Sequence, residues 1–300
     1  MQCEPEDDGL LESTVEDSLD STVEDSLGGT VVGRLEAILA SFDGSDHALA
    51  LSEISHRVGL PKSTVHRLAN QLCSVGWLER NSGGYRVGLR LLELGSVALK
   101  RTGLREVAFK HIYSLALKTG GLATHLAILD RGEVVYLDRI AMTRFNLPSR
   151  VGGRAPAYCT ALGKAMLAFA DQAGQDSGLA DMPSRTEFTI TDPRAMQAEL
   201  ETIRRTGVAY DREEEYRGLC CVAAPIRSGG RTIGAVSVTG PIARMQAHSL
   251  VHDVRSAALA VSSGDFEPAH QQPAQREPAQ REPLRRPPSH RVPVSAAGPR

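Results

Sequence analysis

The sequence has no long hydrophobic run, and this absence excludes one class of protein at the outset. Its longest uncharged apolar segment, residues 219–226, is eight residues long, whereas a helix that spans a membrane needs about 20. Residues 1–30 contain no Lys or Arg, so the basic region that opens a signal peptide is missing. We therefore expect a cytoplasmic protein with no membrane partner.

Cysteine pairs and an excess of charge are missing as well. The five cysteines are an odd number and none forms a CxxC pair, which is typical of free thiols in a reducing compartment. The 34 Lys and Arg are balanced by 36 Asp and Glu. No chain-wide positive field therefore indicates a protein that binds nucleic acid through bulk charge.

The two ends of the chain differ in composition from the rest. Residues 1–30 contain ten acidic residues and repeat the heptapeptide STVEDSL, and such a segment repels itself. From residue 264 onward, eight of the 16 prolines fall within 37 residues. That composition buries too little apolar surface to offset the entropy of the chain. We expect disordered extensions over 1–30 and 264–300, around a folded region at 31–263.

Residues 31–90 carry the pattern of three helices and a hairpin. Apolar residues recur at i, i+3, i+4 and i+7 from Leu35, which predicts an amphipathic first helix. Ser52 is expected to cap the second helix, and Pro61 suits the first turn of the third. The segment Asn81-Ser82-Gly83-Gly84 favours a hairpin turn. This order predicts a winged helix-turn-helix.

The polar side of the third helix predicts contact with double-stranded operator DNA. Its side chains can donate to phosphates or base edges. The candidate DNA contacts are Lys62, Ser63, Thr64, His66, Arg67 and Asn70 on the helix, with Arg80 and Arg86 on the wing. Residues 31–90 carry seven Lys and Arg against five Asp and Glu, so one copy should bind DNA modestly. The alternative is a small helical subdomain whose polar face is only solvated.

Beyond residue 120, the pattern changes to strands that alternate with helices. Hairpin turns are predicted at 130–133 and 228–231, and helices over 161–169, 195–206 and 247–261. A helical stretch over 89–119, interrupted at Gly103, precedes them. We predict an α+β protein with helical linkers over 91–119. Over 120–263 we expect an antiparallel sheet with helices packed outside.

The linker also predicts an oligomer. Leu91, Leu94 and Ala98 form an apolar stripe that a lone helix should not expose. One reading unit is short of positive charge, and an oligomer that places two units on adjacent turns of DNA would strengthen binding. We therefore expect at least a homodimer.

Six segments of the sequence resemble the IclR family of bacterial transcription regulators. In the family's order and spacing they are LSEISHRVGLPKSTVHRLANQL, GGYRVGLRLLELG, GRAPAYCTALGKAMLA, ITDPRAMQAELETIRRTGVAYDREE, GLCCVAAPI and VSVTGP. The resemblance covers nearly all of residues 31–263. It implies a GAF-like effector domain, homodimers or dimers of dimers, and a small organic acid that alters operator binding. We expect a regulator of a metabolic operon, a repressor more than an activator.

The resemblance also implies an effector site, carried over position by position. The matching residues are Ala161, Leu162, Asp211, Cys221, Ser237 and Thr239. Ser237 and Thr239 are two apart on one strand, so their hydroxyls face the same side. Main-chain N–H groups at the start of the helix at Ala161 can receive a carboxylate. Ala161 and Leu162 narrow the cavity where a family member has glycine.

Asp211 is awkward in a site for an acid, because its charge would repel a carboxylate. It must accept a ligand hydroxyl, which would select hydroxylated or hydrated acids, or turn away toward an arginine. Without the resemblance, Asp211 could equally be a cap or turn residue. Ser237 and Thr239 would then be residues of an ordinary half-buried strand.

The residues alone suggest two other functions. A GAF-like thiol enzyme could use Cys159 or Cys221 as nucleophile and His125 as base, but nothing in the sequence brings such a pair together. A pure DNA-packaging protein would need a large surplus of positive charge. We expect no enzymatic activity and no cofactor. We also expect no metal site, since His248 and His252 at i, i+4 lack a third ligand nearby.

Overall fold

The computed structural model describes residues 29–42, 48–100, 103–142, 147–245 and 247–264. The two predicted extensions, 1–30 and 264–300, lie almost entirely outside these residues. Within the described ranges, no helix combines the length and the apolar character needed to span a bilayer.

The N-terminal part is the predicted winged helix-turn-helix. It comprises helices α1 (Val31–Ala40), α2 (Leu51–Val58) and α3 (Lys62–Ser74), then strands β1 (Leu78–Asn81) and β2 (Gly84–Val87). Buried side chains from each helix, among them Ile38, Ile54 and Leu68, form one core with Leu78 and Tyr85 of the hairpin. Each fully buried aliphatic side chain contributes about 1.5–3 kcal/mol. Burial of these apolar side chains therefore holds α3 against the core with its polar side outward.

The predicted cap of α2 is wrong. The helix begins at Leu51, its N-cap is Ala50, which makes no side-chain cap hydrogen bond, and Ser52 lies within the first turn. The reason is a tertiary contact. Leu49 and Tyr85 exchange two backbone hydrogen bonds of 2.8 Å. This bridge fixes the backbone at Leu49, and the helix begins two residues later. The same contact fastens the wing to the helices.

Two helices lead away from the wing. They are α4 (Leu89–Lys100) and α5 (Leu104–Lys118), and the break falls where it was predicted, at Gly103, which has φ +59°. Much of the apolar surface of α4 is exposed, at Leu89, Leu92, Leu94 and Val97.

The C-terminal part is built on one antiparallel sheet, as predicted. Its strands are β3 (Ala123–Asp130), β4 (Glu133–Ile140), β5 (Arg154–Pro156), β6 (Ala209–Arg212), β7 (Leu219–Ser228) and β8 (Arg231–Pro241). They lie in the order β5-β4-β3-β8-β7-β6. The helices of this part are α6 (Ala161–Leu167), α7 (Gln172–Leu179), α8 (Pro193–Thr206) and α9 (Ala247–Ser262).

The sheet is covered on both faces. One face packs against α6 and α8 through a core that includes Ala127, Met166 and Leu200. The other packs against α5 and α9, with Ile112 and Val254 in its core. The first face also carries polar side chains, among them His125 and Thr239. They line a pocket that opens to solvent beside the start of α6.

Candidate functional site

A pocket lies on the α6 side of the sheet, with about 540 Å³ of empty space, part of it open to solvent. We call it the sheet pocket. It is lined by His125, Tyr136, Leu147, Pro148, Ser149, Arg154, Ala155, Thr160, Ala161, Leu162, Asp211, Glu215, Tyr216, Leu219, Cys221 and Thr239. Five of the six residues expected at an effector site are therefore together in it. The sixth, Ser237, is fully buried behind the lining.

Strand register brings the central groups together. Thr239 is paired with Cys221 on β7, and its hydroxyl donates to the Cys221 Sγ at 3.1 Å. Ser237 is paired with His125 on β3. The Ser237 and Thr239 hydroxyls lie 3.4 and 3.5 Å from the His125 Nδ1, so both point to the same side of β8. The other ring nitrogen, Nε2, lies 2.9 Å from the Ser149 hydroxyl.

The sheet pocket thus places a thiol and an imidazole close together, which the sequence could not indicate. Burial lowers the pKa of His125 to about 3 and raises the pKa of Cys221 to about 12. Burial also raises the pKa of Cys159. A nucleophilic pair needs a thiolate beside an imidazolium, and each of these shifts opposes that state. The arrangement suits a neutral hydrogen-bonding wall.

Asp211 holds a turn and also faces the sheet pocket. Its Oδ1 accepts the Glu214 N–H at 2.7 Å, and burial raises its pKa to about 7. No ion pair joins it to an arginine in the part of the chain that the structure describes. We expected Asp211 either to accept a ligand hydroxyl or to turn toward an arginine. In the structure it does not turn toward an arginine.

A fully buried lysine connects α6 to the turn after β6. The Lys164 Nζ donates to both carboxylate oxygens of Glu214, at 2.6 and 2.7 Å, and lies 3.5 Å from Glu199. Sequence analysis missed this pair, because Lys164 lies in an apolar helix with no pattern that marks its partner. The pair fixes the end of the segment from which Asp211 and Glu215 enter the sheet pocket.

Glu215 was also missed. It lines the sheet pocket, and burial together with the nearby Asp211 raises its pKa to about 8. Three consecutive glutamates ordinarily indicate a solvated segment, and nothing in the sequence separates Glu213, Glu214 and Glu215. Tertiary structure assigns them three different surroundings.

The beginning of α6 offers less to an anion than expected. The helix has seven residues, and the Thr160 hydroxyl already accepts the Gly163 N–H at 3.1 Å. One donor of the first turn is thereby occupied. Arg154 also lines the sheet pocket, but its guanidinium donates to Asp130 at 2.6 Å and to Glu133 at 2.9 Å.

The candidate DNA contacts of α3 lie on its outer side. Lys62, Ser63, His66, Arg67 and Asn70 are exposed, and Thr64 is half-buried. The Asn70 amide nitrogen lies 3.4 Å from the His66 Nε2. These positions share one face of the helix, opposite the core. A polar, cationic surface suitable for a DNA groove is therefore present on α3.

The two wing arginines differ in their surroundings. Arg86 donates to Glu79 on the neighbouring strand at 2.6 Å, and both side chains are well exposed. The Arg80 guanidinium lies 5.5 Å from the centre of the Tyr85 ring. Arg86 must exchange a carboxylate for a phosphate to contact DNA, whereas Arg80 makes no ion pair in the described ranges.

No metal centre is formed by the described side chains, which contain no suitably placed group of three His, Cys, Asp or Glu. The side chain of His248, half of the helical histidine pair noted in the sequence, lies outside the described residues.

A winged helix-turn-helix joined to an α/β domain with a partly open polar pocket is the architecture of a ligand-responsive transcription regulator. The IclR helix-turn-helix domain matches residues 31–82, and the bacterial transcriptional regulator IclR C-terminal domain matches residues 96–263. The chain belongs to the IclR family of bacterial transcriptional regulators. It therefore has an N-terminal DNA-binding domain and a C-terminal effector-binding domain.

Known regulators and solved structures are similar to this chain over most of its length. The chain is 32% identical over 247 residues to the HTH-type transcriptional regulator XynR of Escherichia coli K12, covering 79% of this chain and 98% of that one. It is also similar to a crystal structure of an IclR homolog complexed with 4-hydroxybenzoate from Microbacterium hydrocarbonoxydans. That match has 32% identity and a TM-score of 0.68, and covers 78% of this chain and 98% of the other. The Thermotoga maritima IclR structure matches with 29% identity and a TM-score of 0.64, over 77% of this chain and 96% of that one.

Proposed function

We propose that this regulator represses a metabolic operon and that a small hydroxylated organic acid, bound in the sheet pocket, changes its affinity for operator DNA. It acts in the cytoplasm as a homodimer or a dimer of dimers. The observation that carries the proposal is the composition of the sheet pocket. Hydroxyl groups and two carboxyl groups line a partly open pocket in the effector-binding domain of a DNA-binding protein.

The lining supports an acid that also carries a hydroxyl. Ser149 offers a hydroxyl to a carboxylate, and Thr239 can do so by turning its hydroxyl away from the Cys221 Sγ. Hydrogen bonds to a charged group contribute roughly 1.5–3 kcal/mol each. Asp211 suits the opposite end, where it accepts a ligand hydroxyl without the repulsion that a second carboxylate would bring. The 4-hydroxybenzoate bound by the Microbacterium homolog combines these two groups.

Contact with DNA is assigned to the outer face of α3 and to the wing. Lys62, Ser63, Thr64, His66, Arg67 and Asn70 enter the major groove, and Arg80 and Arg86 reach the backbone beside it. One reading unit has a small surplus of positive charge, so two units on adjacent turns of DNA are required for useful affinity.

The exposed apolar side of α4 supports association. Leu92, at 67% exposed, and Val97, at 66%, lie on a helix adjoining the DNA-reading unit. Burial of this face between two copies would stabilise the dimer by about 25 cal/mol for each Å² of apolar surface removed from water. A dimer that joins through α4 places two copies of α3 in a defined relation.

Coupling then requires only that the acid bind one dimer geometry better than another. A difference of about 1–3 kcal/mol changes operator affinity about 5–150-fold. The proposal is tested by fluorescence anisotropy of the full chain on the intergenic DNA beside its gene, titrated with 4-hydroxybenzoate and with short hydroxylated aliphatic acids. We expect one of these acids to change the affinity for DNA at least fivefold, and the variant Thr239→Val to lose the response while still binding DNA.

Two results would contradict the proposal. One is a response to the acid that is as large in Thr239→Val as in the wild type, because the acid would then bind elsewhere. The other is an operator affinity that no acid of either group alters. Direct repression is checked by a reporter fused to the same intergenic DNA, whose expression should rise when the regulator gene is deleted.

A further inference from the structure

Glu215 differs from the other acidic groups near the sheet pocket in having no hydrogen-bond or ion-pair partner among the described residues. Glu213 accepts the Gly218 N–H, and Glu214 is bound by Lys164. Asp211 accepts a backbone N–H from within its own turn. Glu215 is half-buried and lines the sheet pocket, so its carboxyl is free to bond with a molecule that fills that space.

The surroundings of Glu215 contain little positive charge. Asp211 repels it, and only Arg185 attracts it. His125 across the pocket is neutral, because burial lowers its pKa to about 3. Arg154 is held by two carboxylates of its own. This end of the sheet pocket is therefore acidic.

We propose that Glu215 determines effector specificity by accepting a hydrogen bond from a ligand hydroxyl and by rejecting ligands that carry a second carboxylate at that position. The inference rests on the proposed function, in which the sheet pocket takes a small organic acid. It adds the residue that reads the far end of that acid, and it narrows the ligand class to hydroxylated monoanions.

The physical basis is the charge that Glu215 carries above the pKa of about 8 to which burial raises it. A ligand hydroxyl gives the Glu215 carboxylate a charge-assisted hydrogen bond, whereas a ligand with hydrogen in its place offers no such bond. A second ligand carboxylate would be a third acidic group beside Asp211 and Glu215. Like charges in a site of low dielectric disfavour one another strongly. The expected order of affinity is hydroxy acid, unsubstituted acid, diacid.

The test uses isothermal titration calorimetry of the full chain at pH 8.5, above the pKa of about 8 to which burial raises Glu215. The probes are two matched series that differ only in the far group. One is 4-hydroxybenzoate, benzoate and terephthalate, and the other is 3-hydroxypropionate, propionate and succinate. In the series that binds, we expect the wild type to prefer the hydroxy acid to the unsubstituted acid by at least tenfold.

The variant Glu215→Gln keeps the size of the side chain and removes its charge. We expect it to reduce the preference for the hydroxy acid to about threefold or less and to improve binding of the diacid at least tenfold. Glu201→Gln is the matched control, because it removes the same charge from an exposed position of α8 outside the pocket lining. It should leave both ratios as they are in the wild type.

Two outcomes overturn the inference and are distinguishable. If Glu215→Gln leaves the ratios unchanged while Thr239→Val weakens binding, the acid occupies the sheet pocket but Glu215 does not select it. If no probe binds either protein, or if Thr239→Val leaves binding intact, the proposed function of the pocket fails, and this inference fails with it. Circular dichroism of each variant checks that its fold is retained.

Discussion

Removal of the charge on Lys164 should destabilise the C-terminal part of the protein strongly. The side chains of Lys164 and Glu214 are 0% and 4% exposed, and the Nζ bonds both carboxylate oxygens at 2.6 and 2.7 Å. Lys164→Met keeps the length of the side chain but leaves the Glu214 carboxylate buried, with only a 3.4 Å contact from the Arg212 N–H. Breaking a buried pair in this way costs about 3–5 kcal/mol, a large part of the total stability of a domain.

Removal of both charges should cost much less. In Lys164→Met/Glu214→Leu no buried charge lacks a partner, and apolar replacement of a buried pair is often neutral. We expect the double variant to lie within about 2 kcal/mol of the wild type, less than the sum of the single variants. Glu199, the more distant neighbour, is 21% exposed and can remain hydrated.

Urea unfolding followed by circular dichroism measures these differences, with fluorescence as an internal control. The single tryptophan, Trp77, belongs to the N-terminal core, so its fluorescence reports that domain. The penalty of Lys164→Met should shrink as the pH falls toward 5, because burial raises the pKa of Glu214 and a protonated carboxyl needs no cation. A cost below about 1 kcal/mol, or a double variant as unstable as the sum of its parts, would refute this reasoning.

Three further predictions concern DNA, pH and assembly. Arg67→Ala should weaken operator binding with unchanged stability, and Lys62→Ala should lower the slope of log affinity against log salt by about 1, as measured by anisotropy over a salt series. Below pH 6.5 the unfolded chain protonates His125 while the folded state, with its pKa near 3, does not. Stability should therefore fall by up to about 1.4 kcal/mol per pH unit relative to His125→Gln, as measured by urea unfolding. Leu92→Glu should shift the protein toward monomer in light scattering.

Each of these has a control or a contradicting result. Arg231→Ala removes an equal charge from an exposed position at the start of β8 and should bind DNA as the wild type does. The assignment of α3 fails if Arg67→Ala and Lys62→Ala both bind normally. Parallel pH curves for the wild type and His125→Gln would show that His125 titrates alike in both states. A dimer that survives Leu92→Glu would place the interface away from α4.

Much of the fold was predictable, because it is written in local patterns. The period of apolar residues predicted α1 and α3, and glycine-rich turns predicted the hairpins. The misses were short or non-local. Strands β5 and β6 have three and four residues, too few to show a period. The start of α2 depended on the bridge from Leu49 to Tyr85, which no local signal contains.

The sequence by itself determined the order of elements, the polar face of α3 and the family to which the chain belongs, since each depends on residues close together or on motif order. Tertiary structure alone decided the chemistry of the sheet pocket. The register of β3, β8 and β7 brings His125, Thr239 and Cys221 together, and burial makes the first neutral and the last a thiol. It also separates Glu214 from Glu215, because adjacent residues of a turn point in different directions. One meets Lys164 in the core, and the other faces the space that a ligand would fill.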